Sequence, residues 1–194
     1  MQIDAQFNDL RKLPDYPAAR FLTQGKVTLQ TPPDLPAGAS AAEMLQALWD
    51  QKALMDMLQV LAHALPPREA TWWACLTARD LGQGNTSAVH AAEAWVRQPG
   101  PQTRSAARAT YDTAPDDDDT VFCAMAASFA DGTMGPGEYD DYDAPPGAVG
   151  AAVFGLLLIT LFAEDSTPEE RGPLLLARGL DIARGGNGQI ATDA

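Results

Sequence analysis

Positive charge is scarce in this chain: 13 Lys and Arg stand against 26 Asp and Glu, for a formal net charge of −13. Nucleic acid and anionic lipid surfaces would be repelled by such a chain, so neither is expected as a partner. Potential metal ligands of the softer kind are equally few, with two cysteines and two histidines. That excludes a disulfide framework and any Cys-rich zinc module. Cys75 and Cys123 each sit inside an apolar run with no Cys or His at ligand spacing. They read as buried free thiols, which suits a reducing compartment. The opening residues Met1 to Leu10 carry no basic segment followed by an apolar one, so no signal peptide is expected and the cytoplasm is the expected location. A long apolar span is missing too. The uncharged stretch Gly147 to Ala163 would make a helix of about 25 Å, short of a hydrocarbon core of about 30 Å. Acids flank it on both sides (Asp141, Asp143, Glu164, Asp165), with no Lys or Arg to orient it. It reads as a buried central helix, and no membrane partner is expected.

What the chain does contain is helical pattern. Hydrophobic residues make up 46% of the 194, enough for a sizeable core. Ser40-Ala41-Ala42-Glu43 is a capping box, and Met44, Leu48, Met55, Leu58, Leu61, Ala62 and Leu65 recur behind it at helical spacing. Pro66-Pro67 ends that run and starts the next helix, whose Trp72, Trp73, Cys75, Leu76 and Ala78 leave little polar face up to Gly82. Further helices follow Asn85-Thr86-Ser87, cover Thr103 to Thr113, follow the acids Asp116 to Asp119, span 147–163, and begin at the second capping box Thr167-Pro168-Glu169-Glu170. The pattern predicts an all-α bundle of about seven helices. Residues 1–39, broken by five prolines, read as an extended arm packed on the body, with one short helix after Pro17 and a lone strand at Lys26 to Gln30. Residues 40–185 form the helical domain, and 186–194, after Gly185-Gly186, read as a frayed tail. The expected core side chains are Trp72, Trp73, Trp95, Phe122 and Leu157.

No catalytic signature rises from these residues. His90-Ala91-Ala92-Glu93 reverses the order of a di-iron motif and occurs once, with His63 the only other histidine. Cys75 or Cys123 with His63 or His90 is a pool of residue types without a triad's arrangement. No metal or other cofactor is expected. The charge is one-sided: acids and bases balance up to Thr110, while 16 acids face 3 arginines from Tyr111 onward. Asp131 to Pro146, rich in Gly and Pro, is long for a structureless connection and carries Glu138, Asp140, Asp141 and Asp143 without the spacing of a calcium loop. These acids are candidate contacts for a basic partner. Arg68 and Arg97, near helix ends close to the tryptophans, either cap carbonyls and stack on indoles or rim an aromatic groove for a partner.

The segments Leu65-Pro66-Pro67-Arg68-Glu69-Ala70-Thr71-Trp72-Trp73-Ala74-Cys75-Leu76, Ala92-Glu93-Ala94-Trp95-Val96, and Pro145-Pro146 leading into Gly150-Ala151-Ala152-Val153 resemble an uncharacterised family of proteobacterial helical proteins. The resemblance spans roughly residues 40–165, leaves out the arm and the acidic loop, and brings no active site with it. It implies a helical fold and, through members encoded beside type VI secretion genes, a role in effector delivery. The expected function is a non-enzymatic interaction protein, an adaptor or chaperone whose partner is basic or a secreted effector. The alternative is a metal- or carboxylate-dependent enzyme.

Overall fold

The computed structural model describes residues 3–135, 137–164 and 166–190. Among them are nine α-helices: α1 (Ala18–Gln24), α2 (Ala41–Asp50), α3 (Leu54–Ala64), α4 (Pro67–Asp80), α5 (Ser87–Arg97), α6 (Pro101–Thr113), α7 (Val121–Ser128), α8 (Ala148–Leu161) and α9 (Pro168–Arg184). The count exceeds seven for two reasons. The arm contributes α1, and the run behind Ser40 is two helices rather than one. Lys52 adopts a left-handed conformation at φ 57°. Its N–H donates to the Trp49 carbonyl and the Ala53 N–H reaches back to Leu48, closing a Schellman stop without the usual glycine.

The capping boxes form as the sequence implies. Ser40 accepts from the Glu43 N–H at 3.2 Å while the Glu43 carboxylate accepts from the Ser40 N–H at 2.8 Å. These bonds, first to the backbone N–H and then to the hydroxyl, hold the Glu43 carboxyl below its ordinary range. Glu170 accepts from the Thr167 N–H in the same way at 3.0 Å.

Helix α8 is apolar all round, and α3, α4, α7 and α9 cover it. Among the described residues no helix is long and apolar enough to cross a membrane. Close packing at its start depends on Gly150, where a Cβ would lie 2.6 Å from the His63 ring. Helix α4 packs against α5, α7, α8 and α9. Trp73, Trp95 and Leu157 are buried in one core, while Trp72 and Phe122 are half-buried against it.

The arm is pinned by specific contacts. Phe7 is buried and meets Trp49 edge-on with ring centroids 6.2 Å apart. Phe21 and Leu22 of α1 enter the core. Buried Asp56 in the first turn of α3 accepts from the N–H groups of Gln30 at 2.8 Å and Thr31 at 2.7 Å. Those two donors therefore go to a side chain rather than to another strand, and the expected strand at 26–30 is absent: the sole β pairing among the described residues is the bridge Thr133–Asp143. At the other end, residues 186–190 are not frayed. Arg178 holds Asp80 with two bonds of 2.9 and 2.7 Å and donates to the Gly188 carbonyl at 2.6 Å, and Trp72 Nε1 donates to the Asn187 carbonyl at 2.7 Å. Residues 191–194 lie outside the described residues.

Candidate functional site

The acidic loop is a strap whose ends are zipped together. The Met134 N–H donates to the Tyr142 carbonyl at 2.7 Å and the Ala144 N–H to the Gly132 carbonyl at 2.8 Å. Two arginines on α6 tie the strap down. Buried Arg104 pairs with Asp131, with Asp140 at 2.5 Å and with the Thr133 hydroxyl at 2.8 Å. Arg108 donates to the Met134 carbonyl, pairs with Asp112 at 2.9 Å and lies near the rings of Tyr111 and Tyr139. Asp140 is thus engaged within the chain. Glu138, Asp141 and Asp143 are exposed and make no ion pair with another described residue.

The arginines near the tryptophans cap and stack. Arg68 Nε donates to the Val96 carbonyl at 2.7 Å, and Arg79 lies over Trp72 at 5.5 Å. Arg79 and Arg97 both pair with the buried carboxylate of Glu93, the latter at 3.3 Å. Trp72, Trp73 and Trp95 line none of the larger cavities.

His63 lies at the wall of a cavity of about 760 Å³, bounded by the strap's base, the start of α8 and residues before α1. Its Nδ1 meets the Gln59 carbonyl at 2.9 Å, which leaves Nε2 as the acceptor of a neutral ring. Burial pushes its pKa below the ordinary imidazole value, against that hydrogen bond. Among the described residues no group of three His, Cys, Asp or Glu is placed to hold a metal ion.

A larger concavity runs elsewhere, along the outer face of α9. It has a volume of about 1050 Å³ and lies between Pro168, Pro173, Ala177 and Leu180 of α9 and the α2–α3 corner, with Trp49, Lys52, Leu54 and Met57. Met57, Leu176 and Leu180 are buried in its floor, whereas Trp49 stands 44% exposed on its rim. From 168 to 184 the α9 face extends about 24 Å. Pro173 has no N–H, so the Glu169 carbonyl lacks its helical donor along this wall. Trp49 is absent from the candidate residues above. The available signal was its place at the end of α2, just outside the Met44, Leu45 and Leu48 face that packs inward.

Residues 44–183 match the family of unknown function DUF6931. The chain belongs to this family. The matched span contains α3 to α8 whole, all but the first residues of α2 and nearly all of α9, and so both walls of the α9 groove. No curated protein and no solved structure matches the chain.

Proposed function

We propose that this DUF6931 protein is a non-enzymatic interaction module that seats an amphipathic helix of a partner protein in the α9 groove. One observation carries the reading: a groove about 24 Å long with an apolar floor and an exposed tryptophan on its rim. That length matches roughly four helical turns, and a rim tryptophan beside a buried floor is the usual composition of a binding hot spot. Charge selects the occupant. A second copy would bring another −13, so self-association is opposed electrostatically, while a helix with basic flanks is attracted. At the groove itself Asp50, Glu169 and Asp181 stand against Lys52 and Arg184, so the attraction comes from the charge of the whole chain rather than from the rim. The finer reading is an adaptor or chaperone for effector loading in type VI secretion, supported by the sequence resemblance, which makes secreted effectors the first partners to try.

The test places a photo-crosslinking amino acid at Trp49 in the native cell and maps the partner residues captured. The reading expects capture of one amphipathic segment, lost when Ala177→Arg fills the groove. Capture that survives Ala177→Arg, or no capture beyond the chain itself, removes the groove from the function.

A further inference from the structure

The tryptophan on the rim of the α9 groove is braced by a segment of chain outside the groove's own helices. Asp4 caps a single 3-10 turn, Ala5–Phe7, by accepting from the Gln6 N–H at 3.1 Å. That turn is bonded to both walls of the groove. On the α2 side the Asp4 N–H donates to Oε1 of buried Gln46 at 2.7 Å, and Gln46 Nε2 donates in turn to the Asp50 carboxylate at 2.8 Å. On the α9 side Arg184 donates to the Gln6 carbonyl, and further along the arm the Lys12 N–H donates to the Ala183 carbonyl at 2.8 Å. Between these ties Phe7 is 1% exposed and sets its ring edge-on to Trp49, with 68° between the planes. Gln6, Trp49, Asp50 and Arg184 all line the groove. The turn lies ahead of the span 44–183 matched to the family, while the walls it joins lie almost wholly inside that span.

We propose that the Asp4–Phe7 turn is a clasp on the α9 groove, with Phe7 a positioning residue that acts on the bound partner helix through Trp49. The inference rests on the groove reading above. An indole 44% exposed at the end of a helix has several rotamers open to it, and ordering it on binding lowers affinity. Phe7 removes part of that loss in advance, because its edge-to-face contact is already made in the free protein. The hydrogen bonds add register. Gln46 lies one turn before Trp49 on α2, so its bonds to Asp4 and Asp50 fix the last turn of that helix, where the indole departs. The bonds from Arg184 and Lys12 hold the arm against the C-terminal end of α9, so the clasp sets the gap between the two walls at that end. Linkage makes the effect mutual: whatever loosens the turn weakens binding, and occupation of the groove tightens the turn.

The experiment uses the full chain with 5-fluorotryptophan at its four tryptophans, the Trp49 fluorine resonance being assigned by Trp49→Phe. In parallel, a photo-crosslinking amino acid replaces Lys52, which also lines the groove, in the native cell. Gln46→Met removes both side-chain bonds and leaves the Phe7 ring in place, so a changed Trp49 resonance reports a changed pose rather than a lost ring current. Phe7→Leu keeps an apolar side chain in the core and takes away only the ring, so it reads the clasp independently of Gln46. In Gln46→Met the Trp49 resonance should shift or broaden while those of Trp72, Trp73 and Trp95 hold. Capture at position 52 should fall by about threefold or more in both variants, with wild-type helical spectra. A Trp49 resonance unchanged in Gln46→Met, equal disturbance of all four resonances, or wild-type capture in both variants would each overturn the clasp. Capture that is absent from the start, or that survives Ala177→Arg, counts against the groove reading instead, and the fluorine spectrum then still decides whether the turn holds Trp49.

Discussion

At the scale of single residues, the core is fixed by a few close approaches. Trp73 is fully buried, and a Cβ on Gly179 of α9 would fall 2.8 Å from its Cζ2. Truncation and overfilling should therefore both be felt at this contact. Trp73→Ala is expected to cost roughly 3–5 kcal/mol and Gly179→Ala about 1–3 kcal/mol, read as lower urea midpoints at unchanged slope. Normal stability of the Gly179→Ala variant would show that α9 does not press on Trp73. The importance of Trp73 and Trp95 was legible in the apolar runs around them. The split between Trp73 and its neighbour was not. Trp72 sits half-buried because Arg79, two turns on along α4, covers its ring and the chain after α9 returns to accept its N–H, and this second contact spans 115 positions of sequence. His63 adds a dependence on pH. Its folded pKa is depressed, so its contribution to stability is whole above the ordinary value near about 6.5 and is lost as pH falls through the folded value. Burial raises Asp80 despite Arg178, which works with the opposite sign and in the lower carboxylate range. Urea midpoints should fall from pH 7 toward pH 5, and His63→Asn, which keeps a donor for the Gln59 carbonyl, should flatten that slope. An unaltered slope would place the titration on other groups.

At the scale of elements, stops and straps decide the outcome more than helix-forming runs do. Helix identity was readable because the capping boxes, prolines and apolar spacing agree. The α2–α3 break was not readable, since its left-handed stop falls on Lys52 rather than on glycine. Lys52→Gly at this exposed position should be neutral or stabilising by up to about 1 kcal/mol, whereas Gly at most helical positions costs about as much. A clear loss of stability would mean that the lysine side chain has a structural partner. The 131–146 strap shows how composition misleads at this scale. Its glycines, prolines and acids resemble a solvated connector, yet Arg104, 36 positions before Asp140, grips it from α6. The acids it holds are about half exposed, so breaking the pair should cost about 1–2 kcal/mol, less than for a fully buried pair. Arg104→Gln should speed amide exchange across 137–143 with little change in α3 or α8. Unchanged exchange would assign the strap's order to its backbone bonds alone. Partner tests of the acidic face therefore belong on Glu138, Asp141 and Asp143, which can be neutralised without loosening the strap.

At the scale of the whole molecule, a wrapped core and an uncovered groove coexist. The core-facing sides of the helices meet around α4 and α8, the arm is tied by Asp56 and the C-terminal segment by Arg178, yet among the described residues no helix covers the face of α9 toward the α2–α3 corner. The helical class was legible in periodicity. The groove was not, because it arises where α9 lies beside a corner made by residues more than a hundred positions away. With the captured partner segment in hand, synthesised as a labelled peptide, the direct measurement is its equilibrium and kinetic binding to wild type, Ala177→Arg, and the Glu138→Gln, Asp141→Asn, Asp143→Asn variant at low and high salt. Occupation of the groove predicts a loss of at least 100-fold for Ala177→Arg, mostly in dissociation rate, while the acid variant loses only association rate at low salt. Wild-type affinity in Ala177→Arg would contradict the groove as the binding site.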